Sequence, residues 1–374
     1  MEADDSKLLQ FAVKEVNRGI QRGDYSKHNE SQMEEALTQA FDVAVEQSRD
    51  LTPEDHRWFE RAMERWQPTR RKMMGKVRRS NLRRWGRGFQ LYSDCVIASE
   101  VMNHMLEDCI GAWIRSDESA VNEALLGVDG VMGGRGLKCL TMLSLQSRAC
   151  SISNEIALLA EHGYPEAVKA RTRSLHELAV TARALSGLGL TDTTVSDRYG
   201  AWTVAEARKE SRARSMMGFT PDPLPEDDAA LEQRAKDSWG NDFFKQNGWA
   251  SPLFPGRRPP IPFSDLEKLV SMDHMRTFYL AGNDAIHAGP SALNSRARFR
   301  NGAIFHTSSE VQHETTRHFL AAAAITLSEI CNATCRVIAY ITQDFDATFA
   351  VKAVRDAVEL ARLEFKADGM RPPS

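Results

Sequence analysis

The chain has 374 residues, of which 42% are hydrophobic and 26% are charged, and its formal net charge is -3. Such a chain can bury a core in one large domain or two modest ones, and a net charge this small predicts no special partner by itself. The cysteines form no Cys-x-x-Cys pair and no regular series, so the pattern predicts neither a structural zinc site nor a disulfide scaffold. We expect buried free thiols at all six cysteines: Cys95, Cys109, Cys139, Cys150, Cys331 and Cys335.

Neither export nor membrane insertion is predicted. The N-terminus is acidic where a signal peptide would be basic and then apolar. The longest apolar run, 319–341, is interrupted by Glu329, Asn332 and Arg336, whereas a bilayer requires about 20 apolar residues without interruption. We therefore expect a cytoplasmic protein in which this run forms a buried core helix.

The first 66 residues are predicted to be helical and, up to residue 55, acidic. Amphipathic spacing predicts helices at 6–18 and 31–49. Thr52 followed by Pro53 and two carboxylates is a helix start signal, and it predicts a third helix that continues to about Trp66.

A strongly basic segment follows. Residues 57–87 contain twelve arginines and lysines against two glutamates. Arginine-rich stretches with interleaved aromatic side chains suit phosphate contacts and base stacking, with Trp66, Trp85 and Phe89 as the stacking faces. Two other interpretations stay open: neutralisation by the acidic first 55 residues or by an acidic partner, and an amphipathic surface for anionic membranes. The candidate nucleic-acid-binding residues are Arg70, Arg71, Lys72, Arg78, Arg79, Arg83, Arg84, Trp85 and Arg87.

Apolar helical spacing returns at 91–114 and is followed by the glycine-rich stretch 127–136. This stretch has neither the GxxxxGK[ST] nor the GxGxxG pattern, and its flanks do not resemble strands. We interpret it as a flexible junction and not as a phosphate-binding loop.

The middle of the chain is again predicted to be helical. Two long helices, 137–162 and 165–187, are joined by a short connection typical of an antiparallel helical hairpin. Further helices are predicted at 195–216 and 227–246. Proline-rich loops, 219–226 and 248–262, follow these two helices, and both are long enough to form a lid or a partner surface.

The remaining elements complete an all-α prediction with one small β-hairpin. Ser264 to Glu267 is a capping pattern that opens a helix reaching His287. An Asn-Gly turn predicts the hairpin near 298–305. Long helices should follow at 309–341 and from about 346. We therefore expect an N-terminal acidic-then-basic helical region (1–130), a helical bundle domain (137–345), and a C-terminal helix and tail (346–374).

One helix combines an arginine and a glutamate in a largely apolar context. Arg173 and Glu177 are four residues apart and share a helix face, where an exposed ion pair is worth only a few tenths of a kcal/mol. Their apolar neighbours indicate partial burial, so the pair organises either the bundle or a site.

This helix and the one ending at His287 resemble the bacterial domain-of-unknown-function family 5677. The resemblance covers about residues 137–341 and implies a helical fold without a known activity. It is carried by two motifs, Ala170-x-x-Arg173-Ser-Leu-x-Glu177 and Tyr279-x-x-x-Asn283-x-x-Ile286-His287-x-Gly289.

The second motif is also similar to the Arg-polar-x-x-x-His signature of HEPN ribonucleases, which are helical bundles, usually dimeric, that cleave RNA without a metal. Asn283 and His287 match the signature, and Gly282 stands in place of its arginine. The resemblance implies that His287 carries the proton, and such cleavage also needs a cation to stabilise the phosphate.

We expect Arg173 to supply that cation, oriented by Glu177. Arg276, the second candidate, precedes His287 by eleven residues, a rise of about 16 Å, which is too far for joint contact with one phosphate. A structural interpretation stays open, in which His287 caps the carbonyls at its helix end and Asn283 joins two helices.

The function predicted from the sequence is an HEPN-like, RNA-directed effector of a bacterial toxin or phage-defence system, acting as a metal-independent endoribonuclease. Its candidate catalytic residues are His287, Asn283, Arg173 and Glu177. The alternative is a non-catalytic nucleic-acid-binding or regulatory subunit. No metal and no cofactor are predicted. Expected partners are nucleic acid, with RNA favoured over DNA, a protein bound through the acidic N-terminus, and a second copy of the chain.

Overall fold

A computed structural model describes most of the chain. The described residues are 53–116, 134–217, 226–287, 297–300, 303–306 and 313–367, together with Arg18, Gln21, Arg22 and Thr38. The expected helices at 6–18 and 31–49, most of the glycine-rich junction and the first proline-rich loop lie outside these residues. The chain divides into two compact units, Met1–Met73 and Met74–Ser374.

The described part of the chain is almost entirely helical, which confirms the all-α class. Its α-helices are α1 (Pro53–Ser116), α2 (Gly134–Glu161), α3 (Pro165–Leu185), α4 (Thr194–Met216), α5 (Glu226–Trp239), α6 (Phe263–Leu269), α7 (Arg276–Ile286), α8 (His313–Thr342) and α9 (Thr348–Ala367). Short 3₁₀ helices occupy Asn241–Phe244, Gly248–Leu253 and Asp273–Met275. Two four-residue strands, β1 (Ala297–Arg300) and β2 (Ala303–His306), pair antiparallel with Arg300 opposite Ala303.

Helix α1 joins segments that the sequence analysis separated. It begins at Pro53, as the start signal predicted, but it continues through the basic segment for 64 residues. Its helical geometry is interrupted at Trp85, where φ is -124° and ψ is 17°. The division between the two units falls within this helix at residue 73, much earlier than the expected boundary near 130.

The part of α1 that lies in the second unit is held there by its buried face. Tyr92, Met102 and Leu106 are fully buried in the core. The Asn81 side chain donates hydrogen bonds of 3.0 Å to the carbonyl oxygens of Ala160 and Glu161 at the end of α2. These contacts explain why residues 74–116 belong to the bundle.

The connection between α2 and α3 has the predicted length. Helix α2 ends at Glu161, Gly163 adopts a left-handed φ of +77°, and α3 begins at Pro165. A Cβ atom built on Gly163 would lie 2.4 Å from Cγ1 of Val77, so the turn also passes very close to α1. Both the backbone angle and the space favour glycine here.

Helix α8 is the centre of the bundle and packs against α2, α3 and α9. Among the described residues it is the one helix long and apolar enough to cross a membrane, over Thr316–Thr342, and 67% of its most apolar stretch is buried inside the protein. The alternation of small alanines with Leu327, Ile330 and Ile338 fills the space between its neighbours. The prediction of a buried core helix is confirmed.

The predicted single helix from Ser264 to His287 is wrong, because the chain breaks after Leu269. Ser271 adopts a left-handed φ of +56°, and the backbone N–H of Met272 donates to the carbonyl of Glu267, a bond that caps the end of α6. The chain then makes one 3₁₀ turn before α7 begins at Arg276. The predicted helix 227–246 likewise ends early, at Trp239, because Gly240 has a φ of +70°.

Candidate functional site

Helices α3 and α7 approach closely at a glycine. Gly282 is buried, and a Cβ atom built on it would lie 2.5 Å from Cβ of Arg173 and 2.8 Å from the carbonyl oxygen of Lys169. Real Cβ atoms do not come this close to other atoms. Position 282 therefore has no room for the arginine of the ribonuclease signature, and the glycine there is required by helix packing.

The Arg173 side chain, which lies at this close approach, contacts Glu177 on its own helix and Tyr279 on α7. Its Nε donates to Oε1 of Glu177 over 3.0 Å, so the predicted pair forms. Its guanidinium lies 5.0 Å from the centre of the Tyr279 ring, and one of its terminal nitrogens is 3.5 Å from the tyrosine hydroxyl. Arg173 thus extends toward the N-terminal half of α7.

Asn283 and His287 lie at the other end of α7. The helix ends at Ile286, and the backbone N–H of His287 donates to the carbonyl of Asn283 as a C-cap. The His287 side chain is exposed and that of Asn283 is partly exposed. Neither side chain forms a hydrogen bond or ion pair with another described residue.

The four predicted catalytic residues are therefore found as two separate pairs. Tyr279, which Arg173 contacts, precedes His287 by eight residues, a rise of about 12 Å along the helix. The structure brings Arg173 to Glu177 and Asn283 to His287, but it does not bring Arg173 to His287. In the described structure Arg173 contacts Glu177 and Tyr279, and its role as the cation beside His287 stays a prediction.

A buried cluster that the sequence analysis missed lies beside Arg173. Nε2 of His176 is 2.8 Å from Oε1 of Glu267, and the other carboxylate oxygen of Glu267 accepts a hydrogen bond from the guanidinium of Arg276. His176 is 2% exposed and Glu267 is fully buried. The rings of Phe263 and Tyr279 enclose the imidazole, with centroids 6.1 and 5.9 Å away.

The electrostatics of this cluster favour a neutral imidazole. Burial lowers the pKa of His176, because desolvation disfavours its charged form, and the hydrogen bond that the imidazole donates to Glu267 opposes that shift without overcoming it. The Glu267 carboxylate then has Arg276 as its charged partner. Nδ1 of His176 is buried without a hydrogen-bond partner in the described structure. The cluster joins α3 to α6 and α7.

A local pattern concealed this cluster in the sequence. Glu267 occupies the last position of a Ser-x-x-Glu capping pattern, but Pro262 is the N-cap of α6 and no side chain caps the helix. His176 shares a helix face with Arg173 and Glu177, and that spacing was the one available signal. Glu267, the partner of His176, lies 91 residues away in the sequence, too far for any helical periodicity to connect the two.

The candidate nucleic-acid-binding residues are divided by the boundary between the two units. Arg70, Arg71 and Lys72 are exposed and belong to the first unit. In the second unit, Arg78 forms a 2.9 Å ion pair with Glu161, and Arg87 lies 3.7 Å from Glu364. Arg79 and Arg83 are exposed, and Arg84 is partly buried.

A basic stripe remains on α1 when these pairs are set aside. Lys76, Arg79 and Arg83 are spaced by three and four residues, so they share one helix face, and all three are exposed. None of the three forms an ion pair with another residue that the structure describes. We refer to Lys76, Arg79 and Arg83 as the basic stripe.

The stacking role predicted for Trp85 is wrong. Its side chain is 3% exposed, and its ring packs edge-on against Phe89 with centroids 6.2 Å apart. A buried indole has no free face for a nucleic-acid base. Trp66, in the first unit, is 56% exposed.

The described part of the chain contains no candidate metal-binding cluster and, at Cys95, Cys139 and Cys331, no reactive thiol. Its His, Cys, Asp and Glu residues include no group of three or more that could hold a metal ion. All six cysteines are free and buried, as expected. Burial raises the pKa of Cys95, Cys139 and Cys331 to about 12, so none of these thiols is a nucleophile near neutral pH.

Comparison with known proteins gives one result for the bundle. No curated protein and no solved structure matches the chain significantly. The matching family model begins within α2 and covers α3, α6 and α7, so it includes His176, Glu267 and both predicted catalytic pairs. Residues 141–304 match this family of unknown function, DUF5677, in agreement with the resemblance found in the sequence.

Proposed function

We propose that the protein is an RNA-directed effector that holds nucleic acid on the basic stripe of α1, in the cytoplasm of a bacterium. The observation that carries this proposal is that Lys76, Arg79 and Arg83 are exposed and form no ion pair with any residue that the structure describes. Phosphate backbones bind such charges by releasing condensed counterions, which needs no preformed pocket. The preference for RNA and the role in a toxin or phage-defence system rest on the similarity to HEPN effectors.

The contrast with other surface cations supports the stripe as a binding surface. Lys209, Arg214 and Lys245 are also more than half exposed, but each is 2.6–2.7 Å from a carboxylate on its own helix or turn. A cation in an ion pair must break that pair before it can contact a phosphate, and this cost weakens its binding. Lys76, Arg79 and Arg83 have no such partner among the described residues.

Binding is tested with fluorescence anisotropy on a labelled single-stranded RNA at several salt concentrations. The variant K76Q/R79Q/R83Q removes three charges. Each lost phosphate contact should reduce the slope of log K against log salt by about 0.7, so we expect a reduction of about 2 and at least tenfold weaker binding at low salt.

The matched control, K209Q/R214Q/K245Q, changes the net charge by the same amount at paired positions. Its RNA affinity should remain within about twofold of that of the natural protein. An equal loss of RNA affinity in both variants would show that net charge alone governs binding. Tighter binding to anionic vesicles or to an acidic peptide than to RNA would contradict the proposal in favour of the interpretations left open by the sequence.

A second candidate function, metal-independent cleavage of the bound RNA, is favoured by the exposed His287 and the partly exposed Asn283 at the end of α7. An exposed imidazole can transfer protons near neutral pH. Arg173 is directed away from it, so a stabilising cation would come from elsewhere, for which the second copy of an HEPN-like dimer is our candidate.

Cleavage is tested by incubating labelled RNA with the natural protein, His287→Ala and the control His104→Ala in excess chelator. His104 is 77% exposed on α1, where it lies 3.0 Å from Glu107, so the control removes another exposed imidazole. Cleavage lost only in His287→Ala supports the enzyme. RNA binding without cleavage by any of the three proteins leaves the non-catalytic binding function.

A further inference from the structure

A cavity of about 300 Å³ lies where the C-terminal ends of α3 and α6 meet α8. One wall is apolar and is formed by Leu190, Leu253 and Val270. Two further leucines line it, Leu188 and Leu269, and their side chains are 45% and 46% exposed. Apolar side chains grouped at the rim of a cavity offer contact area to the apolar part of a ligand.

The opposite wall carries charge. Arg183 on α3 forms a 2.6 Å ion pair with Glu329 on α8, and both side chains are about one-third exposed. Arg336 lies seven residues after Glu329 and so on the same face of α8, is exposed, and has no ion pair with a described residue. The small side chain of Ala333 between them keeps the cavity open.

The backbone around the cavity is constrained in two places. A Cβ atom on Gly187 would lie 3.0 Å from the carbonyl of Ala184 and 3.1 Å from Leu253. Ser271 has a φ of +56°, which is uncommon for a residue other than glycine. Both features fix the course of the backbone at the ends of α3 and α6, so the cavity is held open by rigid elements.

The charged groups that line the cavity determine whether it favours an anionic or a cationic ligand. Helix C-termini attract cations, but the last carbonyls of α3 are already occupied, because Ser186 and Gly187 donate to the carbonyls of Arg183 and Ala184. Glu329 is neutralised by Arg183. Arg336 is the remaining charge, and its planar guanidinium suits a carboxylate or phosphate oxygen pair.

We propose that this cavity binds a small organic anion with an apolar body, whose head contacts Arg336 and whose body lies against Leu188 and Leu269. The volume is at the lower end of the range for ligand sites, so the ligand is a small molecule and not a polymer chain. This site is independent of the RNA-binding proposal, because it shares no residue with the basic stripe.

The test uses three probes with one apolar body and different heads: 4-phenylbutyrate, 4-phenylbutanol and 4-phenylbutylamine. Binding to the full chain is measured by isothermal titration calorimetry at concentrations up to about 10 mM. We expect the carboxylate to bind about fivefold or more tightly than the alcohol, and the amine to bind least.

Two variants identify the site. Arg336→Gln should weaken binding of the carboxylate about fivefold or more and leave that of the alcohol unchanged. Its control, Arg355→Gln, changes an exposed arginine of α9 that lines a different groove, and should change neither. Leu188→Ser should weaken binding of both the carboxylate and the alcohol, because it removes apolar contact.

Three results would overturn the proposal. These are no measurable binding of 4-phenylbutyrate, stronger binding of the amine than of the carboxylate, and equal weakening by Arg336→Gln and Arg355→Gln. All three variants change exposed side chains, so far-ultraviolet circular dichroism should confirm that each remains folded.

Discussion

The two ends of helix α7 differ in what surrounds them. At the N-terminal end, Arg276 and Tyr279 are joined to α3 and α6 through His176 and Glu267. At the C-terminal end, Asn283 and His287 project from the bundle without a described partner. One helix of eleven residues therefore has a structural end and an accessible end. The sequence motif covers both, so the motif alone does not distinguish residues that hold the fold from residues free to act.

The largest change in the free energy of unfolding should come from Gly282→Arg, which introduces the arginine of the ribonuclease signature. Gly282→Arg places side-chain atoms where Arg173 and the backbone of α3 already lie, so α3 and α7 must separate. We expect a loss of at least about 3 kcal/mol in the free energy of unfolding, or failure to fold. Urea denaturation measures it. Leu280→Arg, at a position 47% exposed on the same helix, is the matched control and should cost less than about 1 kcal/mol. Similar losses in both variants would mean that the close approach at Gly282 is not important.

A smaller but still large effect is expected from Glu267→Ala. This change leaves Arg276 and His176 without their common partner, and breaking a buried charged pair typically costs about 3–5 kcal/mol. Because Arg276 is partly exposed and can be solvated, we expect the lower part of that range. Glu177→Ala removes a carboxylate that is 40% exposed and should cost less than about 1 kcal/mol. A cost for Glu267→Ala as small as that of Glu177→Ala would argue against a structural role of the cluster.

The pH dependence of stability should also reveal the buried cluster at the N-terminal end of α7. Burial lowers the pKa of His176 in the folded protein below its ordinary value of 6.5. The unfolded chain therefore takes up a proton that the folded chain does not, and the free energy of unfolding falls as the pH drops below 6.5. The slope is at most about 1.4 kcal/mol per pH unit.

Denaturation between pH 7.5 and about 5.5 measures this effect. His176→Gln should lose that part of the pH dependence, whereas the exposed-histidine variant His104→Gln should keep the natural profile. An unchanged slope in His176→Gln would show that His176 does not titrate differently in the folded and unfolded chain.

The smallest effect is expected at the accessible end. His287→Ala and Asn283→Ala remove side chains without described partners, so each should change the free energy of unfolding by less than about 0.5 kcal/mol. The measurement is the same urea titration. A loss above about 1 kcal/mol in either variant would support the interpretation in which these residues cap the helix or join it to a neighbour.

The sequence was informative wherever local signals and packing agree. The buried helix α8 and the connection between α2 and α3 were predicted because apolar spacing, Gly163 and Pro165 are sufficient signals for both. The pairing of Arg173 with Glu177 followed from helix geometry alone.

The sequence was misleading where a local pattern competed with tertiary contacts. Glu267 fits a capping pattern, yet it is buried against His176, a partner that no periodicity connects to it. Trp85 was expected to be exposed because basic residues surround it. The buried positions Asn81, Trp85, Gly88 and Tyr92 follow one another at helical spacing, so this inner face was detectable despite the surrounding arginines.

The six buried thiols give the bundle an internal reporter of its own opening. They are distributed over α1, α2 and α8, and Cys109, Cys150 and Cys335 have pKa values raised to about 12, 12 and 11. A thiol reagent reacts with such groups only when the surrounding helices separate. The order in which these cysteines become labelled in native buffer would therefore record which helices of the bundle open first, without any engineered probe.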